Sequence, residues 1–243
     1  MFASRIGAWL PAVSVAGVAL VLLYLSVPRL AATLWEIRFD DVAAAAERGV
    51  DVPPAQLQDA AEGLQQALRW TPSRAVYLKL AMLQQALAKV PGASVAEQHL
   101  ALESALSSIR AGLAMAPVDP SAWSRLGLVL MRLGRPREAL DAIRFSTVIA
   151  AQAPAERWWR LELWLLSLRY LEQGDVARLR RQLDLAFAAD AGRLARLAKH
   201  YHLMPWVREE LATAGHAAEQ LDPYFPVPSE AVRNGADRSA AVN

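Results

Sequence analysis

Residues Asp119–Leu140 read DPSAWSRLGLVLMRLGRPREAL, and this stretch decides the fold. Apolar residues fill both of its ends. They are interrupted once, at Gly134-Arg135-Pro136. Proline cannot continue a helix interior but is accepted in a first turn, so Pro120 and Pro136 mark two helix starts. Glycine reaches positive φ without a Cβ clash, so Gly134 ends the first helix. Two short helices joined by so tight a turn make a hairpin. Trp123 is the side chain large enough to fill the gap between them. Gly127 and Ala139 are small enough to let the backbones approach.

The same punctuation continues in both directions. Breaks fall at Thr71-Pro72, Pro91-Gly92, Pro117 to Pro120, Ala153-Pro154, Gly174-Asp175, Gly192 and Pro205. Between them apolar residues recur at spacings of three and four, as in Leu57, Ala60, Ala61, Leu64, Ala67 and Leu68, which is the helical period. No segment sustains a two-residue alternation, so no sheet is expected. The intervals Pro72–Pro117 and Pro117–Pro154 are near the length of a helical-hairpin repeat. The surplus in the first falls in the loop at Pro91-Gly92-Ala93-Ser94.

Trp123, Leu126 and Gly127 have the W-x-x-L-G spacing of a tetratricopeptide repeat (TPR). Gly134 and Ala139 stand where that family places its turn glycine and the small residue of its second helix. The segment resembles one such repeat. Tyr77, Leu80 and Ala81 stand in for the corresponding positions of an earlier, degenerate one. Trp158 or Trp159 with Leu161, followed by Gly174-Asp175, does so for a later one. The resemblance covers roughly 55–190 and implies an all-α, TPR-like helical-hairpin solenoid. In such a fold Trp123, Leu126, Gly127, Gly134 and Ala139 are structural, and the concave surface holds a peptide or a partner helix.

Toward the N-terminus, Ile6 to Pro28 carries no charge between Arg5 and Arg29. About 20 apolar residues span the roughly 30 Å of hydrocarbon as a helix. Trp9 and Tyr24 sit near the ends, where aromatic rings favour the interface. The stretch is longer than the apolar core of a cleaved signal peptide, and Leu30-Ala31-Ala32 is a poor cleavage site. The expected layout is therefore a short tail at 1–5, a transmembrane helix at 6–28, a helical linker at 29–52, a TPR-like domain at 53–221 and a disordered tail at 222–243. Arg5 stands on one side of the span. Arg29 and Arg38 stand on the other, diluted by Glu36, Asp40 and Asp41, so the positive-inside rule gives little orientation.

Composition narrows the function classes. A net charge of +2 over 243 residues provides no basic field for nucleic acid. Hydrophobic residues make up 54% and mean hydropathy is +0.17, an excess that a membrane segment partly explains. The chain has no cysteine, which removes disulfides, thiolate catalysis and thiolate metal sites. His200 and His202 are two apart, roughly 200° around a helix, and would not grip one metal. Neither Asp40-Asp41 nor Glu209-Glu210 has a histidine partner, and no phosphate loop, G-x-S-x-G or H-E-x-x-H occurs. No catalytic residue, metal, cofactor or small-molecule substrate is expected.

Two features suit binding. Arg178, Arg180, Arg181, Arg193, Arg196 and Lys199 are either a solvated face interspersed with Asp175, Asp184 and Asp190, or a docking face. As a docking face they would meet an acidic protein segment, an anionic polysaccharide or lipid headgroups. The run Trp158-Trp159-Arg160-Leu161-Glu162-Leu163-Trp164-Leu165-Leu166 is either a central helix or one with an exposed face for a partner. Arg125, Arg132, Trp159 and Arg160 are the candidate binding surface. The layout resembles single-span accessory proteins of bacterial envelope-polysaccharide assembly, and also membrane-anchored TPR factors of cytochrome or respiratory-complex assembly. A non-enzymatic scaffold in the bacterial inner membrane is expected, with its helical domain on the periplasmic side and a membrane-associated protein partner. A regulatory subunit of an envelope enzyme is the remaining alternative.

Overall fold

The computed structural model describes residues 3–154, 156–215 and 221, with side chains placed at residue 15 and from residue 17 onward. The tail expected at 222–243 and His216 lie outside the described residues. The side chains of Arg5, Trp9 and Pro11 are likewise not described. Among the described residues all regular structure is helical. The chain divides into two compact units, 1–134 and 135–243. The boundary falls at the break expected at Gly134-Arg135-Pro136.

Unit one begins with α1 (Ala3–Glu47), a single unbroken helix of 45 residues. At 1.5 Å per residue it is about 68 Å long. It carries the expected span and most of the expected linker without interruption. It is the one helix, among the described residues, long and apolar enough to cross a membrane, with a mean hydropathy of 1.8 over an 18-residue stretch within Gly17–Glu47. It stops in a Schellman motif. The Val50 N–H donates to the Ala45 carbonyl, the Gly49 N–H donates to the Ala46 carbonyl, and Gly49 takes φ +72°.

The second half of α1 is not a free linker. It packs on α2 (Pro54–Trp70) and α3 (Arg74–Leu87). Phe39 and Ala43 are buried there with Leu57, Ala60, Ala61, Leu64, Ala67, Val76, Leu80 and Leu83. Trp35, Val42 and Ala46 pack at the edge of this core. Gly63 makes the approach of α1 and α2 feasible, because a Cβ there would fall 1.9 Å from Cε2 of Phe39. Polar contacts close the same joint. The Lys79 ammonium donates to Glu36 (2.6 Å) and Asp40, and the Arg38 guanidinium lies over the Trp35 and Phe39 rings. Partial burial lowers the Lys79 pKa. Hydrogen bonds to Asp40 and Glu36 outweigh that effect and leave the pKa above its ordinary value.

The unit continues with α4 (Val95–Met115) against α3, and α5 (Pro120–Arg132) against α4. Ser94 and Glu97 form a capping box at the start of α4. Asp119 caps α5 by accepting from the N–H groups of Ser121 and Ala122, and it ion-pairs with Arg74 of α3.

Unit two comprises α6 (Pro136–Ile149), α7 (Arg157–Leu166), a 3₁₀ turn (Leu168–Tyr170), α8 (Gln173–Ala189), α9 (Ala191–His200) and α10 (Met204–Thr213). The break expected at Gly174-Asp175 comes earlier, at the 3₁₀ turn, and Gly174 lies in the first turn of α8. Its core holds Leu161, Leu163, Trp164, Leu165, Leu179, Leu183, Leu194, Val207 and Leu211. Asp175 is buried at the start of α8 and accepts both arms of the Arg144 guanidinium from α6. It also accepts from Arg178 and from the Glu172 N–H. Burial alone would raise the Asp175 pKa, but Arg144, the Glu172 N–H and Arg178 outweigh burial and hold it below the ordinary carboxylate value.

Candidate functional site

The residues of the repeat motif are largely interior. Leu126, Gly127 and Ala139 are buried, and Gly134 takes φ +73°. Trp123 is half-buried, and its indole N–H donates to the Pro117 carbonyl at 2.8 Å, tying α5 to the loop before it.

The four candidate binding residues have different fates. Arg125 ion-pairs with Glu47 and so braces α5 against the end of α1. Arg132 is exposed at the end of α5. On α7, Trp159 is 49% exposed while its neighbour Arg160, about 100° further round the helix, is fully buried. Arg160 is therefore not a surface residue. Its guanidinium donates to the carbonyls of Ala150 and Ala153 just past the C-terminus of α6. Both carbonyls also accept a backbone N–H, Ala153 on Ala150 and Glu156 on Ala153, so the cation adds a second donor to each near the negative end of α6. Burial pushes its pKa down from the ordinary arginine value. The Nε of Arg160, the indole N–H of Trp164 and the Oε1 of Gln182 are buried without a hydrogen-bond partner among the described residues.

The tryptophan-rich run is central only in part. Leu161, Leu163, Trp164 and Leu165 are buried, whereas Trp158 is half-buried and Trp159 faces outward. The helix also ends at Leu166, so Tyr170 belongs to the following turn.

The basic cluster separates into two groups. On α8, Arg178 pairs with Asp175 and Arg180 pairs with Glu210 of α10, so these two serve the fold. On α9, Arg193, Arg196 and His200 are spaced at i, i+3 and i+7 and lie along one stripe. That stripe and Trp158 and Glu162 of α7 line an open groove of about 260 Å³, with Leu197 as its apolar patch. The groove is bridged twice. The Arg193 guanidinium lies 4.5 Å from the centre of the Trp158 ring, and the Tyr201 hydroxyl donates to Glu162. His200 meets the Tyr201 ring edge-on at 4.7 Å.

Each part of this groove follows from local sequence. Asp190 caps α9 by accepting from the Arg193 N–H, which sets the helix phase. His202 ends α9 at φ +57° in a second Schellman motif, with the Leu203 N–H on the Ala198 carbonyl and the His202 N–H on the Lys199 carbonyl. Arg193 and Arg196 stood out in the sequence only as part of a charge run. The i, i+3, i+7 stripe ending in His200 was the available signal. Nothing in the sequence linked it to Trp158 and Glu162, some thirty to forty residues away.

Chemically the groove offers two guanidiniums, an imidazole and an indole face against one carboxylate that already accepts a hydroxyl. Such a set binds and orients anionic groups. Among the described residues no group of three or more His, Cys, Asp or Glu could hold a metal ion. No model of a known protein family matches the chain, and no curated protein matches it either.

Proposed function

We propose that this chain is a membrane-anchored helical adaptor that positions protein partners at the bacterial inner membrane. One observation carries the reading. In a single unbroken helix, the side chains of Val18, Leu20, Val21, Leu22, Leu23, Tyr24, Leu25 and Val27 are about half exposed or more. Farther along the same helix, Phe39 and Ala43 are sealed into the core of unit one. An uncovered apolar stretch of this kind needs a non-aqueous cover, and a bilayer matches its length. With no break between the two halves, the packed helices are held on a stiff stalk. The tether raises their effective concentration near other membrane proteins.

The helical part is read as a TPR-like array on the periplasmic side, serving envelope assembly such as polysaccharide biosynthesis or export. The second reading, an assembly factor or structural subunit of a respiratory or cytochrome complex, differs in its partner rather than in its physics. The adaptor role is tested in two steps. The chain should stay with membranes through carbonate extraction, and recovery in the soluble fraction refutes the anchor. Because the chain has no cysteine, Ser107→Cys, at an exposed site on α4, reports topology cleanly. Labelling by an impermeant maleimide in intact cells is expected, and protection until lysis reverses the orientation. Crosslinking of solubilised membranes should then capture a stoichiometric protein partner.

A further inference from the structure

We infer that the groove between α7 and α9 is a docking site for a carboxylate-bearing segment of a partner protein, gripped by Arg193, Arg196 and His200 over Trp158. The inference rests on the adaptor reading for the source of the ligand and on the groove alone for its chemistry.

Charge supplies the first argument. The wall from α9 presents Arg193, Arg196 and His200, and the wall from α7 presents one carboxylate, Glu162. That carboxylate accepts from Tyr201 and keeps its charge, which offsets one of the two guanidiniums. Arg196 makes no ion pair among the described residues, unlike Arg178 and Arg180 one helix away. Among the lining residues two guanidiniums face one carboxylate, so the groove keeps a net positive charge, while Arg178 and Arg180 of the same basic run are paired within the fold.

Preorganisation supplies the second. A guanidinium stacked on an indole keeps its N–H edge free and loses little further freedom on taking a carboxylate in two-pronged fashion. Arg193 over Trp158 has this arrangement.

Size and polarity select a peptide. At about 260 Å³ the groove is smaller than the roughly 300–1,000 Å³ of sites that enclose a drug-sized molecule, so it takes a side chain or two while the ligand continues outside. Leu197 and the indole supply apolar surface for the stem of a glutamate or for an apolar neighbour. A bare phosphate would leave that surface unused.

The test uses the full chain in detergent micelles and a fluorescein-labelled peptide of alternating glutamate and leucine, read by polarisation at low salt. Arg196→Glu should weaken binding at least tenfold. Arg181→Glu makes the same charge change on the exposed face of α8 and should stay within twofold. Glu162→Gln removes the groove's own carboxylate and should tighten binding several-fold, a direction that loss of structure cannot produce. Melting temperatures confirm that all three variants fold. Equal weakening by Arg181→Glu and Arg196→Glu overturns the site in favour of diffuse attraction. So does absence of peptide binding, whether or not inorganic phosphate or a soluble short-chain phosphatidylglycerol binds instead. The two readings fail separately. A wild-type chain that captures no partner from membranes sinks the adaptor, whereas partner capture undiminished in Arg196→Glu sinks only the groove.

Discussion

Replacing Asp175 by asparagine removes one negative charge from the place where α6 is tied to α8. The carboxylate accepts Nε of Arg144 at 2.9 Å, the second arm of the same guanidinium, Nη1 of Arg178 at 3.1 Å and the Glu172 N–H at 3.0 Å. Asparagine keeps one acceptor oxygen and turns an amide N–H₂ toward a cation. Hydrogen bonds to a charged group are each worth about 1.5–3 kcal/mol. The cost stays below the roughly 3–5 kcal/mol of a stranded buried charge, because Arg144 keeps Asp141 at 2.9 Å and Glu172 at 3.1 Å. The expected loss is about 2–3 kcal/mol. At roughly 2–4 °C per kcal/mol for a chain of this size, the melting temperature should fall by about 4–12 °C. The assay is thermal unfolding by circular dichroism of the full chain in detergent micelles at pH 7. Acid provides an internal control. Asp175 has a depressed pKa in the fold, so its contribution is complete above the ordinary value near 4 and is lost as pH falls through the lower folded value. The gap between wild type and variant should therefore be full at pH 7 and shrink below about pH 4. A variant that melts within 2 °C of wild type at pH 7, or a gap that persists in acid, refutes the assignment of Asp175 as the tie.

Gly63→Ala should destabilise the chain by about 1–3 kcal/mol, since the new Cβ would meet the Phe39 ring at 1.9 Å. Helix propensity alone predicts the opposite sign by about 1 kcal/mol, so the direction of the melting shift decides between them. Arg160→Ala should cost about 3 kcal/mol or more, from a cavity plus the loss of one of the two donors to each of the Ala150 and Ala153 carbonyls. A denaturant titration showing under 1 kcal/mol would remove Arg160 from its role as an internal cap.

Much of the fold is legible residue by residue. Pro54, Pro120, Pro136 and Pro205 each lie in the first turn of a helix, where proline is accepted. Leu57, Ala60, Ala61, Leu64 and Ala67 are the buried face of α2 at the spacing that the helical period dictates. Gly92 and Gly134 take positive φ where the breaks were placed. The linker is a different case. It was expected only as a helix at 29–52, and whether its apolar residues meet solvent, lipid or another helix depends on what the chain brings to them. Gly63, twenty-four residues on, lets Phe39 sink in.

The sequence by itself determined the helices, most of their ends and the apolar stalk, because these depend on neighbours within a turn or two: a proline's missing N–H, a glycine's missing Cβ, a three-four rhythm of apolar side chains. Only the tertiary structure decided which charges are spent inside the fold and which remain to bind. Arg160 and Trp159 are adjacent in sequence, yet one is buried and the other faces solvent. Arg180 and Arg196 belong to the same basic run, yet one is paired with Glu210 and the other lines a groove with Trp158 and Glu162. An arginine's fate rests on carboxylates and carbonyls that other helices bring within a few ångströms, and local spacing carries no information about those.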